Sequence, residues 1–357
     1  MRFLVAIILT ATLVVAAQAQ QGQRAGGGPP PDAAPVKGAT TGFMHAIHAT
    51  NNVDTTLAFY REVFGLGLTT NPSAFPNPNV PLLTNSPGVN LRVAMLRIPG
   101  RGMNFELTEF TNTERTPRQF KLTDPGAPHM TFMVKDIDVV VAAAKQRGAT
   151  IITTGGAPVE LGLGMRAVFM RDPDGYIVEA ISIEGPPPAD AAPAAVAALN
   201  TPGNVIGSMI GLTVADMNAS LKFWNDMLGW EFGPPGDAYS KLMAPEATLM
   251  GVPAGTEVRI KRVTIPGSNA RMELTEFRGQ KLVNQEMRVP DPGASGMAIR
   301  VGNIQELLPK LKAAGVRVIS KDQALVEWDA KTRNVFVKDP NGLLIEVVGT
   351  VAPPAAQ

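Results

Sequence analysis

The stretch VFMRDPDGYIVEA at 168–180 is repeated in altered form as VFVKDPNGLLIEV at 335–347. Each copy reads as two apolar runs separated by Asp-Pro-Asp/Asn-Gly, a composition that is typical of a turn between two strands. A repeat this close indicates that the chain contains the same structural unit at least twice.

Further matched segments extend the repeat over most of the chain. They are VDTTLAFYREVFGLG (53–67) with MNASLKFWNDMLGWE (217–231), and MNFELTEF (103–110) with ARMELTEF (270–277). The offset is 164 positions in the first pair and 167 in the second, so the copies differ by a short loop. This pattern predicts two blocks, 41–183 and 205–350, that arose by duplication.

The segments outside the blocks are rich in Gly, Pro and Ala. Residues 20–40, 184–204 and 351–357 carry too little apolar surface for a packed core, which predicts a flexible leader, a linker and a tail. Residues 1–19 combine an early Arg, a short apolar run and an Ala-Gln-Ala end. This is typical of a signal peptide, with an uncleaved anchor as the alternative. We therefore expect an exported protein, periplasmic or extracellular, with no membrane association after cleavage.

Charge and cysteine content narrow the class of partner. The 32 Lys and Arg nearly balance the 31 Asp and Glu, and no basic run is present, which excludes the electrostatic footprint of a nucleic-acid-binding protein. The chain has no Cys, so disulfides cannot stabilise it.

Each block reads as two consecutive βαβββ units, so the chain has four. In the first block the strands are predicted at 43–50, 66–70, 91–98 and 103–110, then at 129–136, 149–154, 165–172 and 176–182. The two helices are predicted to follow a cap at Asp54 and to span about 137–147, and they end at Gly65 and Gly148.

This order resembles the vicinal oxygen chelate superfamily, which includes glyoxalase I, extradiol dioxygenases, epimerases and bleomycin-resistance proteins. The resemblance rests on HAI…FY…LG within 45–67 and on DPDG…E within 172–179, and it covers nearly all of both blocks. It implies an α+β fold of two tandem domains, in each of which two βαβββ units form a cup-shaped mixed sheet with helices on the outside. It also implies one divalent metal ion inside a cup, held by a first-strand residue and a last-strand Glu from each unit.

The resemblance places the metal ligands of the first block at His45, Glu106, His129 and Glu179. Two imidazoles and two carboxylates suit Zn, Ni, Co, Mn or Fe(II) and leave positions for substrate. The resemblance further implies that the ion chelates adjacent oxygens of a small substrate and stabilises an enediolate. Glu106 or Glu179 would be the catalytic group that moves the proton.

The second block departs from the ligand pattern. The corresponding positions hold Met209, Glu273, Gly296 and Glu346, so both imidazoles are missing. Two carboxylates alone make a poor transition-metal site. The second block is therefore predicted to be a degenerate domain with a structural or ligand-shaping role.

The ligand set depends on which units pair. Pairing within each block gives one complete set and one empty set, and we expect this arrangement. Pairing of unit one with unit four would instead join His45 and Glu106 to Gly296 and Glu346. A swap between the first blocks of two chains, which would make a homodimer, would also give a complete set.

Other residues receive weaker assignments. Strand alternation predicts that His48 packs under the helices and that Glu109 is structural or solvent-facing. Arg92, Arg166 and Tyr176 are candidate substrate contacts, and the insertion at 71–90 is either a lid or a surface loop.

The predicted function is that of an exported, metal-dependent, glyoxalase-like lyase or isomerase. Export argues against glyoxalase I itself, because its thiol cosubstrate is chiefly cytosolic, so the substrate is open. One alternative is an extradiol-type dioxygenase, whose iron takes two His and one carboxylate. The other is a non-catalytic binding or resistance protein.

Overall fold

The computed structural model describes residues 38–99, 103–185, 199–200, 202–233, 238–283 and 285–350. The predicted signal peptide and tail, nearly all of the leader and most of the linker lie outside these residues. None of the described helices is long and apolar enough to cross a membrane.

The first block folds into two βαβββ units. Unit one consists of β1 (Thr40–Thr50), α1 (Val53–Phe64), β2 (Gly67–Ala74), α2 (Val80–Leu83), β3 (Asn90–Ile98) and β4 (Met103–Thr111). Unit two consists of β5 (Pro128–Val134), α3 (Ile137–Gln146), β6 (Thr150–Ile151), β7 (Val159–Gly162), β8 (Met165–Arg171) and β9 (Ile177–Ile183). The short helix α2 and the short strand β7 are additions to the predicted order.

The second block repeats the pattern. Unit three consists of β10 (Val205–Val214), α4 (Met217–Leu221, continued by a wider π-helical turn at Lys222–Met227), β11 (Ser240–Lys241), α5 (Ala244–Met250), β12 (Glu257–Thr264) and β13 (Arg271–Phe277). Unit four consists of β14 (Ser295–Val301), α6 (Ile304–Ala313), β15 (Arg317–Val318), β16 (Val326–Glu327), β17 (Thr332–Lys338) and β18 (Leu344–Thr350).

Helix α1 shows how local sequence sets the ends of an element. The Asn52 side chain accepts a hydrogen bond from the Thr55 amide at 3.0 Å, so Asn52 is the N-cap and the predicted cap at Asp54 is wrong. Asp54 lies in the first turn of the helix, where its negative charge interacts favourably with the helix dipole. Gly65 ends the helix at φ 67°, a conformation that glycine adopts without strain.

The described strands form two nine-stranded mixed sheets, and each sheet combines units from both blocks. Sheet A joins unit one to unit four through antiparallel pairing of β1 with β14. Sheet B joins unit two to unit three through antiparallel pairing of β5 with β10. The predicted pairing within each block is therefore wrong, whereas the α+β class built from paired βαβββ units is confirmed. We call the concave face of sheet A cup A, and that of sheet B cup B.

Strand alternation divides the core into two layers. In β5, Met130, Phe132 and Val134 join a core shared by the helices and the convex faces of both sheets. His129 and Thr131 on the same strand point to the other face, into cup B. A separate apolar cluster lines the cups and includes Ile47, Phe110, Phe169, Ala298 and Phe336.

The strand pairing predicts which engineered cysteines can form a disulfide. Ala46 lies opposite Met297 across β1 and β14, and the chain has no native Cys. We expect the Ala46→Cys/Met297→Cys variant to oxidise to an intrachain disulfide, because directly opposite residues bring their Cβ atoms to about 5 Å. Non-reducing electrophoresis with peptide mass spectrometry measures the crosslink.

The matched control uses the repeat counterpart of Met297, which is Met130. Ala46 would lie opposite Met130 if units one and two shared a sheet. A crosslink in Ala46→Cys/Met130→Cys but not in Ala46→Cys/Met297→Cys would overturn the observed pairing.

Candidate functional site

Three side chains with metal-ligating atoms converge on the floor of cup A. His45 comes from β1, Glu106 from β4 and Glu346 from β18. His45 Nε2 lies 3.3 Å from Glu106 Oε2, and it is buried without a hydrogen-bond partner in the described structure. The first and last strands of two different units thus supply the floor.

Neighbouring side chains orient the two carboxylates. Thr108 Oγ1 donates to Glu106 Oε1 at 2.6 Å, and Asn334 Nδ2 donates to Glu346 Oε1 at 2.7 Å. Each carboxylate therefore has one oxygen fixed by a protein donor and a second oxygen left for a proton or an ion. Such outer hydrogen bonds are a usual feature of metal sites.

The floor of cup A concentrates negative charge. Burial raises the pKa of Glu346 to about 7, and the charge of Glu106 contributes to the rise. The hydrogen bond from Asn334 opposes these effects without overcoming them. Glu346 is therefore about half protonated at neutral pH.

A cavity of about 660 Å³ opens above this floor. Its wall is largely apolar, and the contributing side chains include Val80, Leu83, Phe110, Phe336 and Leu344. This size and lining are typical of a small-molecule site. The insertion at 71–90 covers part of the cup, because α2 lies over it and Ser320 Oγ of unit four donates to the Leu83 carbonyl at 2.8 Å. The lid alternative for this segment fits its position.

The four predicted ligands do not share one site. His45 and Glu106 lie in cup A, whereas His129 and Glu179 lie in cup B. The physical reason is that β1 and β5 each pair with a strand of the other block. Glu346, assigned to a degenerate domain from the sequence, takes the fourth-unit position in cup A.

The sheet register supports the repeat equivalence of the ligand positions. The last-strand glutamates are each paired in parallel with one first-strand residue, and the pairs are Ile47 with Glu106, Thr131 with Glu179, Gly211 with Glu273, and Ala298 with Glu346. Two residues earlier on those first strands stand His45, His129, Met209 and Gly296. The sequence equivalence was sound, and the error lay in the choice of partners.

Glycine stands opposite a large side chain at the centre of both cups. In cup A, Gly296 lies opposite Ile47, and a Cβ at Gly296 would overlap the Leu344 carbonyl oxygen. In cup B, Gly211 lies opposite His129, and a Cβ at Gly211 would overlap the His129 ring. Histidine at 296 would therefore require β18 to move, whereas Gly211 makes room for the imidazole.

Cup B carries its own cation. Arg262 on β12 donates from Nε to Glu273 Oε2 at 2.6 Å. The two residues lie directly opposite each other on the neighbouring strands β12 and β13. Met95 occupies the equivalent position opposite Glu106 in cup A. An arginine thus neutralises the glutamate of cup B, while cup A offers a methionine there.

The other titratable groups of cup B are shifted toward their neutral forms. Burial raises the pKa of Glu179 to about 8, although the Thr131 hydroxyl donates to its Oε2 at 2.7 Å. Burial lowers the pKa of His129 to about 4, and the charge of Glu273 only partly opposes this. At neutral pH both groups are therefore neutral, beside an internal Arg262–Glu273 ion pair.

His48 forms a separate buried cluster between unit one and unit two. Its Nε2 lies 2.9 Å from Asp172 Oδ2 and 3.5 Å from Asp174 Oδ2, and its ring stacks on Tyr176 at 4.7 Å. Within the described residues this is the one trio of potential ligands whose atoms all lie within 4.8 Å of one another. The floor of cup A does not meet that spacing.

The oxygens of this cluster are already engaged by protein donors. Asp172 Oδ2 accepts from the Tyr60 hydroxyl at 2.9 Å, and Asp174 accepts from Thr56 and from the Asn51 amide. Burial alone would lower the pKa of His48, but the charges and hydrogen bonds of both aspartates raise it to about 10. We interpret the cluster as a structural ion pair that joins the two units.

The remaining candidate residues are occupied elsewhere. Arg92 pairs with Asp54 and Glu109, and Glu109 also accepts from the Val53 amide, so Glu109 has the structural role that was expected. Arg166 pairs with Asp138, Glu160 and Glu184. Tyr176 is buried against His48. None of the three proposed contact residues (Arg92, Arg166, Tyr176) therefore belongs to the cavity lining.

Paired βαβββ units that enclose ligating side chains on a concave sheet define the structural class of this protein. The sequence profile of the Glyoxalase/Bleomycin resistance protein/Dioxygenase superfamily matches residues 42–180 and 207–347, and the chain belongs to this superfamily.

Solved structures share the fold over almost the whole chain. Glyoxalase I from Zea mays has a TM-score of 0.52 at 17% identity and covers 86% of this chain and 92% of its own. A putative dioxygenase from Bacillus subtilis has a TM-score of 0.50 at 14% identity and covers 89% and 87%. Identities this low show the fold alone. A comparison with curated proteins finds no matching sequence.

The repeat supplies a design for testing the His48 cluster. Leu212 and Asn341 are the counterparts of His48 and Asp174 in the second block. We expect His48→Leu to lower the free energy of unfolding by about 3–5 kcal/mol, because it leaves buried carboxylates without their cation. His48→Leu/Asp174→Asn, which copies the second block, should recover part of that loss.

The stabilisation that His48 supplies should depend on pH in a predictable direction. The folded pKa of His48 lies above its ordinary value of 6.5, so its stabilisation is complete below pH 6.5 and is lost as pH rises toward 10. Denaturant unfolding should show that the difference in free energy of unfolding between the wild type and His48→Leu shrinks from pH 6 to pH 10. A gap that is constant across this range would contradict the charged state of His48.

Proposed function

We propose that cup A is the metal-dependent active site of a glyoxalase-like lyase or isomerase that acts on a small molecule with adjacent oxygens. One observation carries this proposal. The buried His45 Nε2, without a hydrogen-bond partner, lies beside Glu106 on the floor of a 660 Å³ cavity. Membership of the superfamily supports it, because that superfamily includes metal-dependent enzymes.

The donor set of cup A fits a divalent ion. His45 Nε2, Glu106 Oε2 and the free oxygen of Glu346 would hold it, one imidazole and two carboxylates being suited to Zn, Ni, Co, Mn or Fe(II). Burial and the charge of Glu106 raise the pKa of Glu346, so a positive charge beside these carboxylates would be favourable. Cup A lacks the arginine that supplies this charge in cup B.

The residues of cup A have distinct roles in this proposal. A bound ion would polarise adjacent substrate oxygens and stabilise negative charge that develops on them. Glu346 would exchange a proton with the substrate at the oxygen that Asn334 does not hold, in alternation with its contact to the ion. Glu106, fixed by Thr108, would be the second carboxylate. The catalytic pair is thus Glu106 and Glu346 in place of Glu106 and Glu179.

Cup B has a structural role in this proposal. The Arg262–Glu273 ion pair and the neutral forms of His129 and Glu179 leave no uncompensated negative charge among these groups to attract a metal ion. In this proposal the degenerate part of the molecule is units two and three. It is not the second block, whose unit four contributes Glu346 to cup A.

An extradiol-type dioxygenase is the second candidate. Gly296 leaves cup A with three protein ligands, so a bidentate catechol and dioxygen would both have positions at an iron ion, but the set is one His and two Glu where this class has two His and one carboxylate. Oxygen uptake with catechols after anaerobic loading with Fe(II) would favour this candidate. Conversion of a 2-oxoaldehyde-type substrate without oxygen uptake would favour the lyase or isomerase.

Metal analysis of single variants separates the two cups. We expect the purified wild type to bind about one divalent ion per chain, and we expect His45→Ala and Glu346→Ala to lose it. Asn334→Ala should weaken binding by about 10- to 100-fold, because the carboxylate loses its orienting donor. Inductively coupled plasma mass spectrometry and competition with a chelator measure both effects.

The control variants are His129→Ala and Glu179→Ala in cup B, which should retain the ion. Loss of the ion in His129→Ala with retention in His45→Ala would overturn the assignment to cup A. A metal-free wild type that binds its small-molecule ligand stoichiometrically would favour a non-catalytic binding protein.

We also propose that the protein is exported, on the strength of the sequence of residues 1–19. The N-terminal sequence of protein recovered from outside the cytoplasm should begin at or near Gln20. Recovery of the full-length chain only from the cytoplasm would contradict export.

A further inference from the structure

The wall of cup A carries one cationic side chain. Among the described residues that line the cavity, Arg300 is the sole Arg or Lys. Alternation along β14 explains its direction, because Met297 and Ile299 enter the shared core while Ala298 and Arg300 face the cup. Arg300 is thus placed where a ligand in the cavity can reach it.

Arg300 has no ion-pair or hydrogen-bond partner in the described part of the chain. In contrast, Arg92, Arg166 and Arg262 are all paired with carboxylates. Asp329 also lines the cavity, but it accepts hydrogen bonds from the Lys331 and Thr332 amides. An unpaired guanidinium on a cavity wall is a group that recognises carboxylates or phosphates.

The position of Arg300 on β14 sets its distance from the ligating side chains on the floor of cup A. Ala298 lies between His45 and Glu346 in the sheet register, and Arg300 is two residues further along β14. At 3.3 Å per residue, this places its backbone about 7 Å from the row of floor ligands. A single small molecule can therefore touch the floor at one end and Arg300 at the other.

An aromatic pair closes the same cavity. Phe75 of unit one and Trp328 of unit four both line it, and their rings are stacked with centroids 6.0 Å apart and planes at 12°. Phe75 is 43% exposed, which is costly for a large apolar ring in the absence of a ligand. Two parallel rings at a cavity mouth offer flat surfaces to a planar molecule.

Cup B lacks the counterparts of these features. With the repeat offset of 167, Arg300 corresponds to Met133 and Trp328 to Leu161. An arginine and a tryptophan at these two positions are therefore specific to cup A.

We propose that cup A takes a flat amphipathic anion, with a planar apolar body against Phe75 and Trp328 and an acidic group on Arg300. This proposal deepens the proposed function, because it rests on the same cavity and leaves the floor for the adjacent oxygens of the substrate. Arg300 and the ring pair act on the far end of the molecule, so their contribution does not require a metal ion.

The test uses two probes of nearly the same shape, one anionic and one neutral, with the full mature chain after removal of metal. The probes are 2-naphthoate and its neutral analogue 2-naphthamide, and calorimetry measures their dissociation constants. We expect 2-naphthoate to bind at least tenfold more tightly. Only the carboxylate can form a charge-assisted pair with Arg300. Arg300→Met removes that pair and should therefore abolish the preference.

Arg97→Met is the matched control for the loss of an arginine. Arg97 is an exposed residue of β3, two positions beyond the cavity-lining Met95 on the same face of sheet A, yet it is outside the lining. This variant should keep the tenfold preference. Trp328→Ala should weaken both probes by a similar factor and leave their ratio unchanged, and thermal unfolding should show that each variant is folded.

The outcomes distinguish this inference from the proposed function. Equal affinity of the wild type for the two probes, or a preference that survives in Arg300→Met, would overturn it. Binding of 2-naphthoate through Arg300 by a chain that holds no metal under any loading condition would support the inference and overturn the metal-dependent chemistry.

Discussion

The antiparallel pairing of β1 with β14, and of β5 with β10, is the interaction on which the rest of the structure depends. It joins the two blocks edge to edge, so that each cup is built from one unit of each block. Within a block, the units are held instead by the shared apolar core and by docking of a turn. Asp174 of the unit-two turn accepts from the Asn51 amide, and Asn341 of the unit-four turn accepts from the Ala215 amide at 2.9 Å. The two kinds of contact together tie four units into one body, and both cups are completed within a single chain.

The two docking turns use the same geometry with different chemistry. Asp174 is engaged by Thr56 and by His48, whereas Asn341 donates to Ser220 at 3.0 Å beside the apolar Leu212. Asn341 is neutral and donates to Asp339, the counterpart of Asp172, which also accepts from the Leu343 amide, so the second block can have leucine where the first has histidine. His48 is therefore explained by the charge of its aspartates, and neither cup requires it.

Much of the fold could be predicted from the sequence, because it depends on local patterns. Apolar alternation places His45 and His129 on the concave faces and His48 on the convex face, and the repeat offset identifies the equivalent positions in all four units. The partner of each first strand could not be predicted, since four similar strands have interchangeable edges and register is set by contacts distant in sequence. The candidate site inherited that ambiguity, and Glu346 was misassigned for the same reason. Arg300 and the Phe75–Trp328 pair were missed because their significance depends on the shared cavity.

The two cups diverged through complementary exchanges at equivalent positions. Where cup A has Ile47 opposite Gly296, cup B has Gly211 opposite His129, so each keeps one large side chain and one glycine at its centre. Where cup A has Met95 opposite Glu106, cup B has Arg262 opposite Glu273. The arginine of cup B neutralises its glutamate, whereas the methionine in the same place leaves Glu106 of cup A without an arginine opposite it. The same duplicated scaffold thus pairs a buried glutamate with an internal cation in one cup and omits that cation in the other.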